Sequence, residues 1–254
     1  MNPRPAALAL LACMAGCERA APPAQPAATK ETTMSERPTP PRVHTLEPAS
    51  GHADSLMVLL HGVGASGSGL LPLARALAPA VPDALILVPE GFHAFEGGGA
   101  GRQWFSVRGV TEQNRPGRVR QAGEEVSRWL DQALAARGLA PERLILVGFS
   151  QGAILANWLA LHRRPSPLAV VALSGRLAEE GPARADMTQA RVLLVHGAQD
   201  AVMPVSLVDE AARGLEARGA RVRVRVLPTL GHTVDAEVLR EAQQFLREVV
   251  GPRP

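Results

Sequence analysis

The sequence contains no tyrosine, a single lysine (Lys30), and two cysteines, Cys13 and Cys17, both near its start. With no cysteine after position 17, neither a disulfide framework nor a thiolate zinc site is open to the rest of the chain. Aromatic residues make up only 3% of the chain, too few for the rows of rings that stack nucleic-acid bases. No segment reaches the ~18 consecutive apolar residues of a membrane-spanning helix. Charge of one sign is also scarce, since 27 basic residues face 24 acidic ones and leave a net +3. That small excess, beside 46% hydrophobic residues, excludes a disordered chain. The one local bunching, Arg221, Arg223 and Arg225, alternates as one face of a strand does. It reads as a solvated edge, and no nucleic-acid partner is expected.

What is present is enough for one sizeable α/β core within 254 residues. The first 17 residues pair one charge, Arg4, with a short apolar run, the composition of a signal peptide. The ending Met14-Ala15-Gly16-Cys17 resembles a bacterial lipobox, with Met14 where leucine is usual. The resemblance implies lipidation of Cys17, while Cys13 is an alternative with a shorter apolar run before it. Residues 18–42, rich in Ala and Pro, are expected to be a disordered tether between that anchor and a globular domain at 43–254. The expected location is then the bacterial cell envelope, with the lipid anchor as the sole membrane contact. If translation starts at Met34 the protein is cytoplasmic instead.

From residue 43 onward, short apolar runs alternate with helical periodicities. The runs 56–60, 84–88, 143–147, 168–173 and 191–195 are nearly continuous, as strands of a parallel sheet buried on both faces must be. The segment 221–227 alternates. Helical stretches fall at about 69–79, 119–137, 151–163, 205–218 and 234–250. This order predicts βαβ units and a mostly parallel sheet with helices on both faces. Chemistry in such sheets sits just beyond the carboxyl ends of the strands.

The sharpest motif there is Gly148-Phe149-Ser150-Gln151-Gly152, between an apolar strand and an apolar helix. A strand that turns so abruptly into a helix strains the serine backbone, and the flanking glycines let the chain pass. A serine hydroxyl needs a base, and the base needs an orienting acid. Asp200 follows the strand 191–195, and His232 follows the strand 221–227, so both stand where a Ser-Asp-His triad requires. Asp209 competes with Asp200 but falls inside a helical stretch. Expected oxyanion donors are the backbone N–H groups of Gln151 and of Val63, in His61-Gly62-Val63-Gly64. His196 reads as a hydrogen-bonding neighbour of the acid, and His44, His52, His93 and His162 as surface residues. No His-Glu-x-x-His or similar cluster exists, so no metal is expected.

Gly62-Val63-Gly64-Ala65-Ser66-Gly67 also matches a dinucleotide-binding fingerprint, with Asp83 and Glu90 downstream. Such a reading has no role for His61 and leaves Ser150, Asp200 and His232 unexplained. The long irregular segment 89–118 is expected to fold over the site, with Trp104 and Phe105 lining an acyl pocket or else filling the core.

Together, His61-Gly62-Val63-Gly64, Trp104-Phe105, the Ser150 motif, His196-Gly197-x-x-Asp200 and Gly231-His232 resemble the phospholipase/carboxylesterase family of α/β-hydrolases. The resemblance covers about residues 50–250, and Gly101 to Val107 looks like the bacterial esterase branch. It implies an α/β-hydrolase fold and compact, lid-poor enzymes that cleave carboxylic esters, and sometimes thioesters, without cofactors. The thioesterase branch usually carries acids where this sequence has Ala65 and Ser106. The expected activity is therefore hydrolysis of small-molecule esters with small or medium acyl chains. A lysophospholipase or acyl thioesterase is the alternative within hydrolases, and an inactive binding module on the same fold is the alternative outside them.

Overall fold

A computed structural model describes residues 42–179 and 190–251. The expected signal peptide, the expected lipidation site at Cys17 and the expected tether up to residue 41 lie outside the described residues. Nine strands and five α-helices succeed one another: β1 (Val43–Leu46), β2 (Ser55–Leu60), α1 (Leu71–Leu77), β3 (Ala84–Pro89), β4 (His93–Ala94), β5 (Arg102–Gln103), α2 (Arg115–Ala135), β6 (Leu144–Phe149), α3 (Gln151–His162), β7 (Ala169–Leu173), β8 (Arg191–Gly197), α4 (Ser206–Glu216), β9 (Arg221–Leu227) and α5 (Ala236–Val250). Seven strands form one sheet in the order β1-β3-β2-β6-β7-β8-β9, while β4 and β5 pair as a separate hairpin. Every neighbour in the large sheet is parallel except β1, which runs antiparallel along β3. The apolar runs thus give the expected strands, each flanked by helices.

Both faces of the inner strands β2, β3, β6, β7 and β8 are dry. Leu56, Val58 and Leu60 point into a core shared with α2, α3 and α4. Met57 and Leu59 point into the opposite core, closed by α1 and α5. Each Leu, Val or Ile buried this way contributes roughly 1.5–3 kcal/mol, which makes the central strands the rigid part of the molecule. Helix α3 is buried on nearly its whole length, since α2 covers its outer side through Gly123 and Trp158. Helix α5 is amphipathic, with Val238, Ala242, Phe245 and Leu246 against the sheet.

Three expectations need correction. The segment 89–118 is less irregular than its sequence, holding the β4–β5 hairpin and the first turn of α2. His44 sits in the edge strand β1, 3.7 Å from Glu90. His162 is no bare surface residue, because its ring stacks on Trp158 and its Nε2 lies 2.9 Å from Glu179.

Candidate active site

The sharp turn between β6 and α3 holds Ser150 at φ 53° and ψ −115°, a region that non-glycine residues avoid. Strain of this kind costs about 1–3 kcal/mol and persists only where the surroundings enforce it. Here β6 is clamped between β2 and β7, and the Ser150 N–H donates to Leu173 O at 2.9 Å. The start of α3 holds the other side, with the Ala153 and Ile154 N–H groups donating to Ser150 O. A Cβ on Gly148 would overlap the Gly152 backbone, and one on Gly152 would overlap Leu60 O. Both glycines of the motif are therefore dictated by close backbone approach.

The loops after β8 and β9 meet beside this turn. They are joined by hydrogen bonds from Ala198 N–H to Leu227 O and from Gln199 N–H to Leu230 O, both 2.9 Å. A side chain on Gly197 would run into Leu230 O and Gly231 O. The result brings three distant residues together. His232 Nε2 lies 3.0 Å from Ser150 Oγ, and His232 Nδ1 lies 2.7 Å from Asp200 Oδ2. Since Asp200 can only accept, Nδ1 carries the proton and Nε2 keeps a lone pair toward the serine hydroxyl. Asp209, by contrast, is exposed in the first turn of α4.

Asp200 is buried, yet its carboxyl stays below its ordinary pKa of 3.8. Burial pushes it up, but the N–H groups of Met203 and Val202, at 2.8 and 2.9 Å from Oδ1, act with His232 to outweigh that effect. The Met203 carbonyl in turn accepts from His196 Nε2 at 2.8 Å, which pins the acid loop from beneath. His196 Nε2 is 3.6 Å from Asp200 Oδ2, so it supports the loop rather than taking the place of His232.

The Val63 and Gln151 N–H groups donate to no acceptor among the described residues, whereas those of Gly64, Ala65 and Ser150 are engaged. Gly64 N–H donates to Arg102 O, Arg102 N–H donates to Ala65 O, and Ala65 N–H donates to Gly62 O. Gly67 N–H donates to Glu90 Oε2 at 2.9 Å. Three amides of the glycine motif, those of Gly64, Ala65 and Gly67, are thus already used within the protein, and Glu90 itself takes one of them. Gly62 brings this loop against the turn, as a Cβ there would stand 3.3 Å from Ser150 Cβ.

Sequence reasoning missed the parts that hold this loop in place. Arg102 donates from Nε to Gly91 O and from Nη2 to Phe92 O, at 2.8 and 2.9 Å. The buried Gln151 side chain accepts from Trp104 N–H and donates to Phe105 O, both at 2.8 Å, tying α3 to the segment after β5. His61 is fully buried and bridges Gly62 O and Gly91 N–H. None of these has a sequence signal, because each pairs a single side chain with a distant backbone group.

Of the two expectations for Trp104 and Phe105, an acyl pocket or the core, the structure follows the second. They are 1% and 5% exposed and belong to the core, with the Trp104 indole N–H donating to His61 O at 2.9 Å. They do edge a recess of about 410 Å3 with Glu96, Ser106 and Arg118, but it includes none of Ser150, Asp200 and His232. A different groove, of about 540 Å3, is lined by His232 itself together with Phe149, Leu70, Leu73, Val234 and Leu239. Among the described residues no group of three or more His, Cys, Asp or Glu is placed to hold a metal ion.

Comparison with known proteins agrees with this architecture. A phospholipase/carboxylesterase family model matches residues 43–250. Esterase YpfH of Escherichia coli K12 is 34% identical over 202 residues, covering 78% of this chain and 84% of that protein. Acyl-protein thioesterase 1 of Aspergillus fumigatus is 24% identical over 233 residues, covering 84% and 95%. The crystal structure of esterase PE8 superposes with a TM-score of 0.75 at 31% identity, covering 83% of this chain and all of that one. The chain belongs to the phospholipase/carboxylesterase family of α/β-hydrolases, a serine hydrolase of carboxylic esters.

Proposed function

We propose that the protein cleaves small-molecule carboxylic esters of small or medium acyl chain through an acyl-enzyme on Ser150. His232 takes the Ser150 proton as the hydroxyl attacks the acyl carbon, and returns it to the leaving alcohol. Asp200 holds the imidazole in the tautomer that makes this possible. The Val63 and Gln151 N–H groups receive the oxyanion, each worth ~3 kcal/mol in comparable sites. Water activated by His232 then releases the acid. The observation that carries the reading is the unbroken chain from Ser150 Oγ through His232 to Asp200, at 3.0 and 2.7 Å. Support for the oxyanion role comes from the Val63 and Gln151 N–H groups, which have no acceptor among the described residues and belong to the loop and the turn that meet at Ser150.

An acyl-length series of p-nitrophenyl esters, run beside Ser150→Ala, tests it. Turnover of two- to six-carbon acyl chains should fall by roughly 10⁴–10⁶ in the variant. A loss below tenfold removes Ser150 from the role. The second reading, lysophospholipid or thioester cleavage, is favoured by the similarity to an acyl-protein thioesterase. Ser150-dependent turnover restricted to long acyl chains would select it. Ala65 and Ser106, where the thioesterase branch usually has acids, weigh for the simple ester.

We further propose that residues 1–17 are a signal peptide, that Cys17 carries a lipid, and that the Ala/Pro-rich residues up to 42 tether the domain at a bacterial envelope membrane. Mass spectrometry of the native N-terminus tests this. A lipid-modified peptide starting at Cys17 is expected, and an unmodified one starting at Met34 or Ser35 would make the protein cytoplasmic.

A further inference from the structure

The groove of about 540 Å3 beside His232 has no part in the reading so far. Leu70 and Leu73 form one wall, Val234 and Leu239 the other, and the ring of Phe149 lies 5.0 Å from that of His232 between them. These apolar side chains are half-buried: they rest on the core beneath α1 and α5, yet keep a face open. Asp235 is the one carboxylate on the groove, and it is engaged in capping α5, where it accepts the Glu237 and Val238 N–H groups at 2.9 Å. The two walls are therefore apolar, with the Asp235 carboxylate held at the start of α5, and the groove is continuous with the imidazole.

The direction of proton transfer says which half of an ester belongs there. In acylation, a bond forms between Ser150 Oγ and the acyl carbon, and the hydroxyl proton moves to His232 Nε2. The bond from the acyl carbon to the alcohol oxygen then breaks, and the proton on Nε2 passes to that oxygen. The leaving oxygen must therefore lie within hydrogen-bond reach of Nε2, while the oxyanion points toward Val63 and Gln151. Whatever is attached to the leaving oxygen continues along the His232 side. We propose that this groove binds the apolar alcohol portion of the substrate, so that the enzyme selects esters by their alcohol more than by their acid; the proposal rests on the roles given above to Ser150 and His232.

Two homologous series run on the full-length protein separate the halves: acetate esters of linear alcohols of rising length, and methyl esters of linear acids of rising length. With an alcohol groove, kcat/KM rises about three- to fourfold per added methylene in the first series and stays nearly level in the second. Leu73→Trp, which fills the groove, should flatten the alcohol slope. If that variant does not fold, as judged by circular dichroism, Leu239→Trp fills it from the opposite wall. An independent readout needs no variant. With p-nitrophenyl acetate as donor, hexan-1-ol should capture the acetyl group from Ser150 in preference to water more effectively than methanol does at equal concentration. A slope confined to the acyl series, or an alcohol slope untouched by either tryptophan, overturns the proposal. Ser150→Ala measured alongside keeps the two ideas apart. If it retains p-nitrophenyl acetate turnover, the underlying roles fall. If it loses turnover while the alcohol slope is level, the groove assignment alone fails.

Discussion

His61 is a histidine with no exposed surface, and both of its ring nitrogens are committed. Nδ1–H donates to Gly62 O at 2.7 Å, and Nε2 accepts the Gly91 N–H at 2.8 Å. A proton on Nε2 would break the second bond, and burial already pushes the imidazole below its ordinary 6.5. The sign of the pH effect follows. Above the ordinary value, folded and unfolded chains both carry neutral His61 and no penalty exists. As pH falls below 6.5, the unfolded chain takes up a proton that the folded chain resists, so stability is lost through the window beneath that value. His61→Asn, which does not titrate, should show a shallower fall in melting temperature between pH 7 and pH 5 than the wild type. Equal slopes would mean that other groups dominate acid unfolding. Asp200 makes a different demand. Asp200→Asn keeps the size but offers His232 an amide, which can hold the imidazole in the wrong tautomer; turnover should drop about 10⁴-fold, read as kcat with a short-chain ester. A drop below tenfold would mean that the tautomer is set elsewhere.

At the scale of elements, the turn from β6 into α3 is the part most fully written into the sequence. Gly148 and Gly152 are there because backbone passes backbone, and an added methyl on Gly152 meets the carbonyl of Leu60 in β2. A carbonyl within the central sheet cannot yield, so Gly152→Ala must displace α3 or β2. The expected cost is about 3 kcal/mol of unfolding free energy, at the upper end for overpacking, seen as an earlier midpoint in urea. An unchanged midpoint would show that α3 can shift freely. The parallel strands were legible for a related reason, since burial on both faces forces continuous apolar runs such as Leu56 to Leu60. Strands β1, β4 and β5 were not, because four residues with none buried and two pairs of residues offer no period to read. Their places depend on distant partners: β1 on the register Val43 to Pro89, and the β4–β5 hairpin on bonds such as Gly64 N–H to Arg102 O. Trp104 and Phe105 stay open between pocket and core in the sequence for the same reason, because a motif fixes neighbours along the chain but not the direction a ring faces.

For the molecule as a whole, Ser150 lies 82 residues from His232, and His232 lies 32 from Asp200, yet all three converge. Parallel topology delivers the carboxyl ends of β2, β3 and β6 to β9 to one edge of the sheet, which is why the three could be named from sequence. The groove beside His232 had no such rule behind it. It exists because α1 and α5, joined by a hydrogen bond from Gln243 Nε2 to Ala76 O across 167 residues, pack next to each other. Charge is likewise a property of the assembled surface. The arginine stripe of β9 faces α5, where Arg223 meets Glu248 at 2.6 Å and Arg225 meets Glu241 at 2.8 Å. Hydrogen bonding to Arg223 holds the Glu248 carboxyl below its ordinary range, and the guanidinium groups of Arg223 and Arg225 each have a counter-charge at hand. A polyanion would have to displace these carboxylates to bind, and the stripe is better described as a clip between an edge strand and its helix. Exposed pairs of this type contribute only about 0.2–1 kcal/mol each. Arg223→Gln should therefore lower stability by no more than that, and neither it nor the wild type should be retained on heparin at physiological salt. Firm retention of the wild type that vanishes in Arg223→Gln would instead make the stripe a binding face.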